Sequence, residues 1–139
     1  DVVEGDGWRV EIANVPHFQP YLVCHGFRLE AEDGVFAYSG DCGASAAMRE
    51  LAREADVLVH MLVFPKPNLA ADASPSDMTH KALAELARDA RVETLVASHL
   101  DPMIDRDGVR ERVIGEMAEI YKGTLIWSED LMEIAIGED

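Results

Sequence analysis

Cysteine is nearly absent from this chain of 139 residues: Cys24 and Cys42 are the only two, and neither stands in a Cys-x-x-Cys pair. Two thiols placed this way make no disulfide framework, so a reducing cytoplasm is the expected location. Aromatic residues supply only 6% of the chain, yet Ala, Val, Leu and Ile are plentiful and periodic, which argues against disorder. No apolar run approaches the roughly 18 to 20 residues of a membrane span, and the acidic start is unlike a signal peptide. A soluble protein is expected. Positive charge is also scarce, because 12 Lys and Arg face 27 Asp and Glu for a formal net charge of -15. That balance opposes binding to a phosphate backbone, which needs cations to displace counterions. Nucleic acid is therefore not the favoured partner. A neutral or cationic small substrate, or local positive charge from bound metal, fits better, although solubility alone explains much of the charge.

The length suits one ordinary domain with a real core. Residues 8–13, 21–30 and 35–38 alternate as strands do, and Asp33-Gly34 is a tight hairpin signal between the last two. After Gly40-Asp41 the period changes: Ala44, Ala47, Met48, Leu51, Ala52 and Ala55 fall at helical spacing, with Arg49, Glu50, Arg53 and Glu54 opposite. Residues 56–63 form a nearly continuous apolar run, as expected for a strand covered on both faces. Pro65, Pro67, Asn68 and residues 70–74 predict a loop, with Ser76 as the N-cap of a second helix striped by Met78, Ala82, Leu83, Leu86 and Ala90. Residues 91–97 predict another buried strand, and 107–122 a third helix that Gly123 stops at C′. Two short strands, 124–127 and 132–136, finish the chain. Helices on one face of a mixed sheet leave its other face apolar and in need of cover, which predicts a missing partner layer.

Candidate chemistry sits at strand ends. Asp41 follows the small-residue turn Ser39-Gly40, the position from which open sheets address ligands; capping the next helix is its plainer role. His99 closes the strand of Thr94, Leu95, Val96 and Ala97, and His17 precedes the strand containing Cys24. Together, Val15-Pro16-His17, Tyr38-Ser39-Gly40-Asp41, Ala55-Asp56-Val57-Leu58-Val59-His60 and Ala97-Ser98-His99-Leu100 resemble the second half of a metallo-β-lactamase-superfamily hydrolase. The segment from Val15 to Leu22, followed by Gly26-Phe27-Arg28-Leu29, resembles the ligand-bearing hairpin of the branch that includes RNase Z and arylsulfatases.

The resemblance implies an α/β fold, the αββα sandwich, to which residues 1–139 contribute one mixed sheet with helices on one face. The N-terminal half, with its His-x-His-x-Asp-His cluster, is expected on a separate chain or a missing segment. The resemblance also implies metal ligation by His17, Asp41 and His99, with Asp41 shared between two ions, His17 on one and His99 on the other. One or two Zn²⁺ per complete site suit these ligands, and Mn²⁺ or Fe also fit. The implied activity is attack by a metal-activated water on a small-molecule ester, lactone, sulfate ester, phosphodiester or organohalide. The chain alone is expected to be inactive. A non-catalytic binding or assembly module on the same fold is the alternative, and a free-standing domain that dimerises through its open sheet face is a third. Assembly into a homo-oligomer is expected.

Several positions depart from the family pattern. Cys42 replaces its usual Thr, His60-Met61 stands where the RNase Z branch has His-Glu, and Asp77 stands where that branch has the His of His-Ser-Thr. These last two changes remove groups that branch uses for proton transfer, which argues against tRNA processing. Besides Asp41, the catalytic candidates are Asp77, as an acid or base at a helix N-terminus where capping is the alternative, and His25, as a substrate-facing group. His60 is expected to be structural and His80 solvated.

Overall fold

Hairpins build the first half of the sheet and helical crossovers the second. A computed structural model describes residues 1–63 and 78–136. The elements are β1 (Val2–Gly5), β2 (Trp8–Val15), β3 (Cys24–Ala31), β4 (Gly34–Tyr38), α1 (Ala46–Leu51), β5 (Val57–Met61), α2 (His80–Ala90), β6 (Thr94–Ser98), α3 (Val109–Ile120) and β7 (Thr124–Trp127). They form one seven-stranded sheet in the order β1-β2-β3-β4-β5-β6-β7. Strands β1 to β4 pair antiparallel, and β4 to β7 pair parallel. Helical crossovers join successive parallel neighbours, and α2 packs between α1 and α3 over one face of the sheet.

That face holds the core. Met48 and Leu51 of α1, Leu83 and Ala87 of α2, and Val113 and Met117 of α3 are buried against Ala37, Leu58, Leu95 and Ala97 of the central strands. The opposite face is apolar and open, as the sequence pattern predicts. Phe27 pairs with Tyr38 and Leu29 with Phe36 across β3 and β4, and Trp8, Phe27 and Tyr38 remain 42%, 36% and 45% exposed.

Strand β1 lies outside the strands that periodicity predicts, because all four of its residues are exposed and no burial alternation marks it. Its signal is Asp6-Gly7, the two-residue loop closed by the Gly5 and Trp8 pair, with Gly7 at φ 78°. Strand β3 begins at Cys24 rather than at residue 21, since the amides of Tyr21 and Leu22 both turn back to the Phe18 carbonyl. The strand expected over 132–136 does not form. The Met132 amide turns back to the Glu129 carbonyl, and the chain then runs to the start of β4, where Ile136 lies against Gly34.

Helix ends follow their caps. The Ser45 hydroxyl accepts from the Met48 amide at 3.2 Å, and Arg28 donates to the Leu51 and Arg53 carbonyls at 2.8 and 2.7 Å, satisfying the other end of α1. Ser76 lies outside the described residues, and α2 is capped instead by Thr79, whose hydroxyl accepts from the Ala82 amide at 3.2 Å. Thr79→Ala is expected to lower stability by about 1 kcal/mol, read as a reduced urea midpoint at unchanged slope. Helix α3 ends with Tyr121 in extended conformation, so Gly123 is not its left-handed C′ residue. Gly123 is required by packing, because a side chain there would collide with the Tyr121 hydroxyl, which donates to the Glu93 carbonyl at 2.7 Å. No described helix is long and apolar enough to cross a membrane.

Candidate metal centre

Three chain segments converge at one edge of the sheet. His17 follows β2 in a segment braced by Gln19, whose amide oxygen accepts from the His17 N–H at 2.7 Å while its nitrogen donates to the Val15 carbonyl at 3.1 Å. Asp41 follows β4 in a turn where Gly40 has φ 55° and no room for a side chain, since a Cβ would lie 2.8 Å from the His25 carbonyl oxygen. The Gly43 amide donates to the Pro16 carbonyl at 2.8 Å and ties the Asp41 turn to the His17 segment. His99 follows β6 at φ 50°, a left-handed conformation uncommon outside glycine and often kept at functional positions.

The Asp41 carboxylate stands between the two imidazoles. Its Oδ2 lies 3.8 Å from His17 Nε2 and its Oδ1 lies 3.7 Å from His99 Nε2. Both spacings are too long for hydrogen bonds. Two ligands on one tetrahedral zinc, each about 2.0 to 2.1 Å from it, stand about 3.3 Å apart, so a small rotation of either ring admits a shared ion. One oxygen toward each histidine is also what a carboxylate bridging two cations requires. The donor set therefore fits zinc. Among the described residues no group of three or more His, Cys, Asp or Glu is gathered tightly enough to hold an ion. Two ligands for each ion fall short of the usual four, and His17 Nδ1 is buried without a hydrogen-bond partner among the described residues. A metal-ligating histidine puts that nitrogen to an acceptor.

The remaining histidines and Cys42 have surroundings of their own. His25 is exposed on β3, opposite Asn14 and edge-on to Phe27 with ring centroids 6.5 Å apart, and no ion pair groups it with Asp41. Asp77 lies outside the described residues. His60 is completely buried, its Nδ1–H donates to the Met61 carbonyl at 2.8 Å, and burial pulls its pKa down to about 4. His80 is not solvated: as the first residue of α2 it faces α3, where its Nε2 meets Glu116 at 2.7 Å and holds that carboxyl below its usual range. Burial, and then the nearby Cys24, push the Cys42 thiol up to about 12, and Cys42 donates to the Gly43 carbonyl at 3.0 Å. It is a neutral packing group.

Beside His99 lies a cavity of about 650 Å³, walled also by Asp105, Ser128, Glu129, Asp130 and Leu131. Asp105 is engaged by Trp127 Nε1 at 2.9 Å and by Arg110 at 3.4 Å. Sequence periodicity passes over these residues; their signal is position, since Ser128, Glu129 and Asp130 follow β7 at the C-terminal edge where open sheets bind ligands.

A carboxylate between two imidazoles stands at the C-terminal edge of a mixed sheet with helices on one face, the layout of part of an α/β domain. Residues 2–100 match the family model described as a beta-lactamase superfamily domain, and the chain belongs to that family, the metallo-β-lactamase superfamily. It is 37% identical over 106 residues to the ribonuclease Z of Listeria monocytogenes serotype 4a (strain HCC23), an alignment covering 75% of this chain and 33% of that protein. Its fold is also that of an isothiocyanate hydrolase from Delia radicum gut bacteria (TM-score 0.75, 16% identity, 99% of this chain and 59% of the other). Human tRNase Z, short form, is similar too (TM-score 0.70, 20% identity, 98% and 45%). The chain spans about a third of the length of the curated relatives it matches. Relatives named ribonuclease Z stand against the expectation of a small-molecule substrate without a nucleic-acid partner.

Proposed function

We propose that the complete protein is a metal-dependent hydrolase in which residues 1–139 form the C-terminal half of the catalytic domain and an upstream half supplies the remaining ligands. The observation that carries this reading is the Asp41 carboxylate, with one oxygen toward His17 and the other toward His99. Bound zinc, or manganese or iron, supplies a Lewis acid and a water of lowered pKa. Asp41 sets the separation of the two imidazoles, and the cavity beside His99 admits the substrate. Met61 has no proton to exchange, so proton transfer falls to Asp77 or to His25 in this reading.

A small molecule is the favoured substrate class: ester, lactone, sulfate ester, phosphodiester or organohalide. Its support is the net charge of -15, together with Glu129 and Asp130 in the cavity wall, neither of which makes an ion pair among the described residues. An RNA substrate is the second reading, favoured by the names of the relatives. A non-catalytic module is the third, favoured by the thioether at position 61.

The test is metal analysis of the purified complete protein, followed by assay on an ester and lactone panel and on a 3′-extended tRNA precursor. Roughly two ions per site and turnover of the small molecules are expected. Turnover of the precursor alone would move the substrate to RNA, and absence of both metal and turnover would overturn the enzyme.

A further inference from the structure

The turn that carries Asp41 depends on bonds from outside it. Gly40 contributes no side chain, the Asp41 side chain is half exposed, and the Cys42 thiol bonds onward to Gly43. What closes the turn is Met61, the last residue of β5. Its backbone amide donates to Ser39 Oγ at 3.2 Å, on one side of Asp41, and its Sδ accepts from the Cys42 amide at 3.0 Å, on the other side. Ser39 is anchored further by its own amide, which donates to the Val59 carbonyl at 3.0 Å, and by its hydroxyl, which donates to the Gly40 carbonyl at 2.6 Å. Ser39, Cys42 and Met61 are all buried, so these bonds are shielded from competing water.

Met61 also faces the other strand end. It stands in register with Ser98, the residue before His99, and the Leu62 amide donates to the Ser98 carbonyl at 2.8 Å. The residue that grips both flanks of Asp41 therefore lies on the strand between Asp41 and His99. His17 is tied to the turn by a different bond, from Gly43 to Pro16.

We propose that Met61 is a positioning residue that fixes the spacing of Asp41 from His99, using its thioether as the acceptor for the Cys42 amide. A residue unable to move a proton holds the carboxylate in place. The inference rests on the hydrolase reading for its consequence, but the clamp itself is testable without metal.

The experiment compares Met61→Leu, which keeps the volume and removes the acceptor, with Met61→Gln, which restores one at similar reach. Both are made in the complete protein, and zinc alone is the probe. Chelator competition is expected to show one of the two zinc sites weakened about tenfold to a hundredfold in Met61→Leu, with the other within about threefold and Met61→Gln close to wild type. Amide hydrogen exchange on metal-free protein is expected to show Cys42 protected in wild type and Met61→Gln and unprotected in Met61→Leu. Equal Cys42 protection in all three proteins would overturn the clamp, as would parallel weakening of zinc in Leu and Gln variants that track a lowered urea midpoint. Failure of wild type to bind zinc would instead remove the hydrolase reading, while amide exchange still decides the clamp.

Discussion

Asp41→Ala in the complete protein is expected to abolish binding at both metal positions together and to lower turnover by on the order of a thousandfold or more. The carboxylate turns one oxygen to each side, at 3.8 Å from His17 and 3.7 Å from His99, so in the proposed centre its removal would take a negatively charged ligand from both ions. His99→Ala should weaken one position more than the other, because His17 and Asp41 remain tied through Gly43 and Pro16. The loss in Asp41→Ala will not be a folding defect: with a side chain 52% exposed, its substitution should change stability by about 0.5 kcal/mol or less. Metal content by elemental analysis, turnover and a urea midpoint measured on one preparation separate the effects. Retention of both ions with activity intact would show that Asp41 is not a metal ligand.

The second large effect is on stability. His60 is buried and its folded-state pKa falls from 6.5 to about 4, because desolvation of the imidazolium outweighs its bond to the Met61 carbonyl. The unfolded chain therefore takes up a proton that the folded chain refuses. The stabilisation due to this difference is fully present above pH 6.5, is lost progressively as pH falls toward 4, and amounts to roughly 3 kcal/mol over that interval. Glu54, Glu111 and Glu116, whose carboxyls are held low by Arg91, by backbone amides and by His80 respectively, also lose stabilisation on acidification. Comparison with His60→Leu isolates the imidazole. Urea unfolding at pH 7 and pH 4.5 should show a distinctly shallower pH dependence in the variant, and identical slopes would rule out a neutral buried His60.

How much of this was legible depends on the range of the interactions involved. Asp33-Gly34 announces its hairpin because turn chemistry is local, and the apolar run from Asp56 places β5 because an unbroken run of this length marks a central strand without reference to its neighbours. Asp41 and His99 could be placed at strand ends for the same reason. The alternating residues 132–136 mislead because periodicity describes one face of a strand but cannot say whether a neighbouring strand edge is available. His80 looks like a surface residue on its own helix, and only the packing of α3 across it supplies Glu116. The two bonds of Met61 are equally hidden: they join positions 19 and 22 residues apart, and the residue type alone indicates filler for an apolar core.

In this sheet the spatial order of the strands is also their order along the chain. Each strand pairs with the one before it, but tight turns join the antiparallel half while the parallel half pairs residues as far apart as Val57 and Thr94, a long loop to close. His17 and Asp41 are tied within the antiparallel half, through the Gly43 amide on the Pro16 carbonyl. His99 follows β6, so its place beside Asp41 depends on the long-range pairing of the parallel half as well, and the spacing of the trio reports on both halves of the sheet at once.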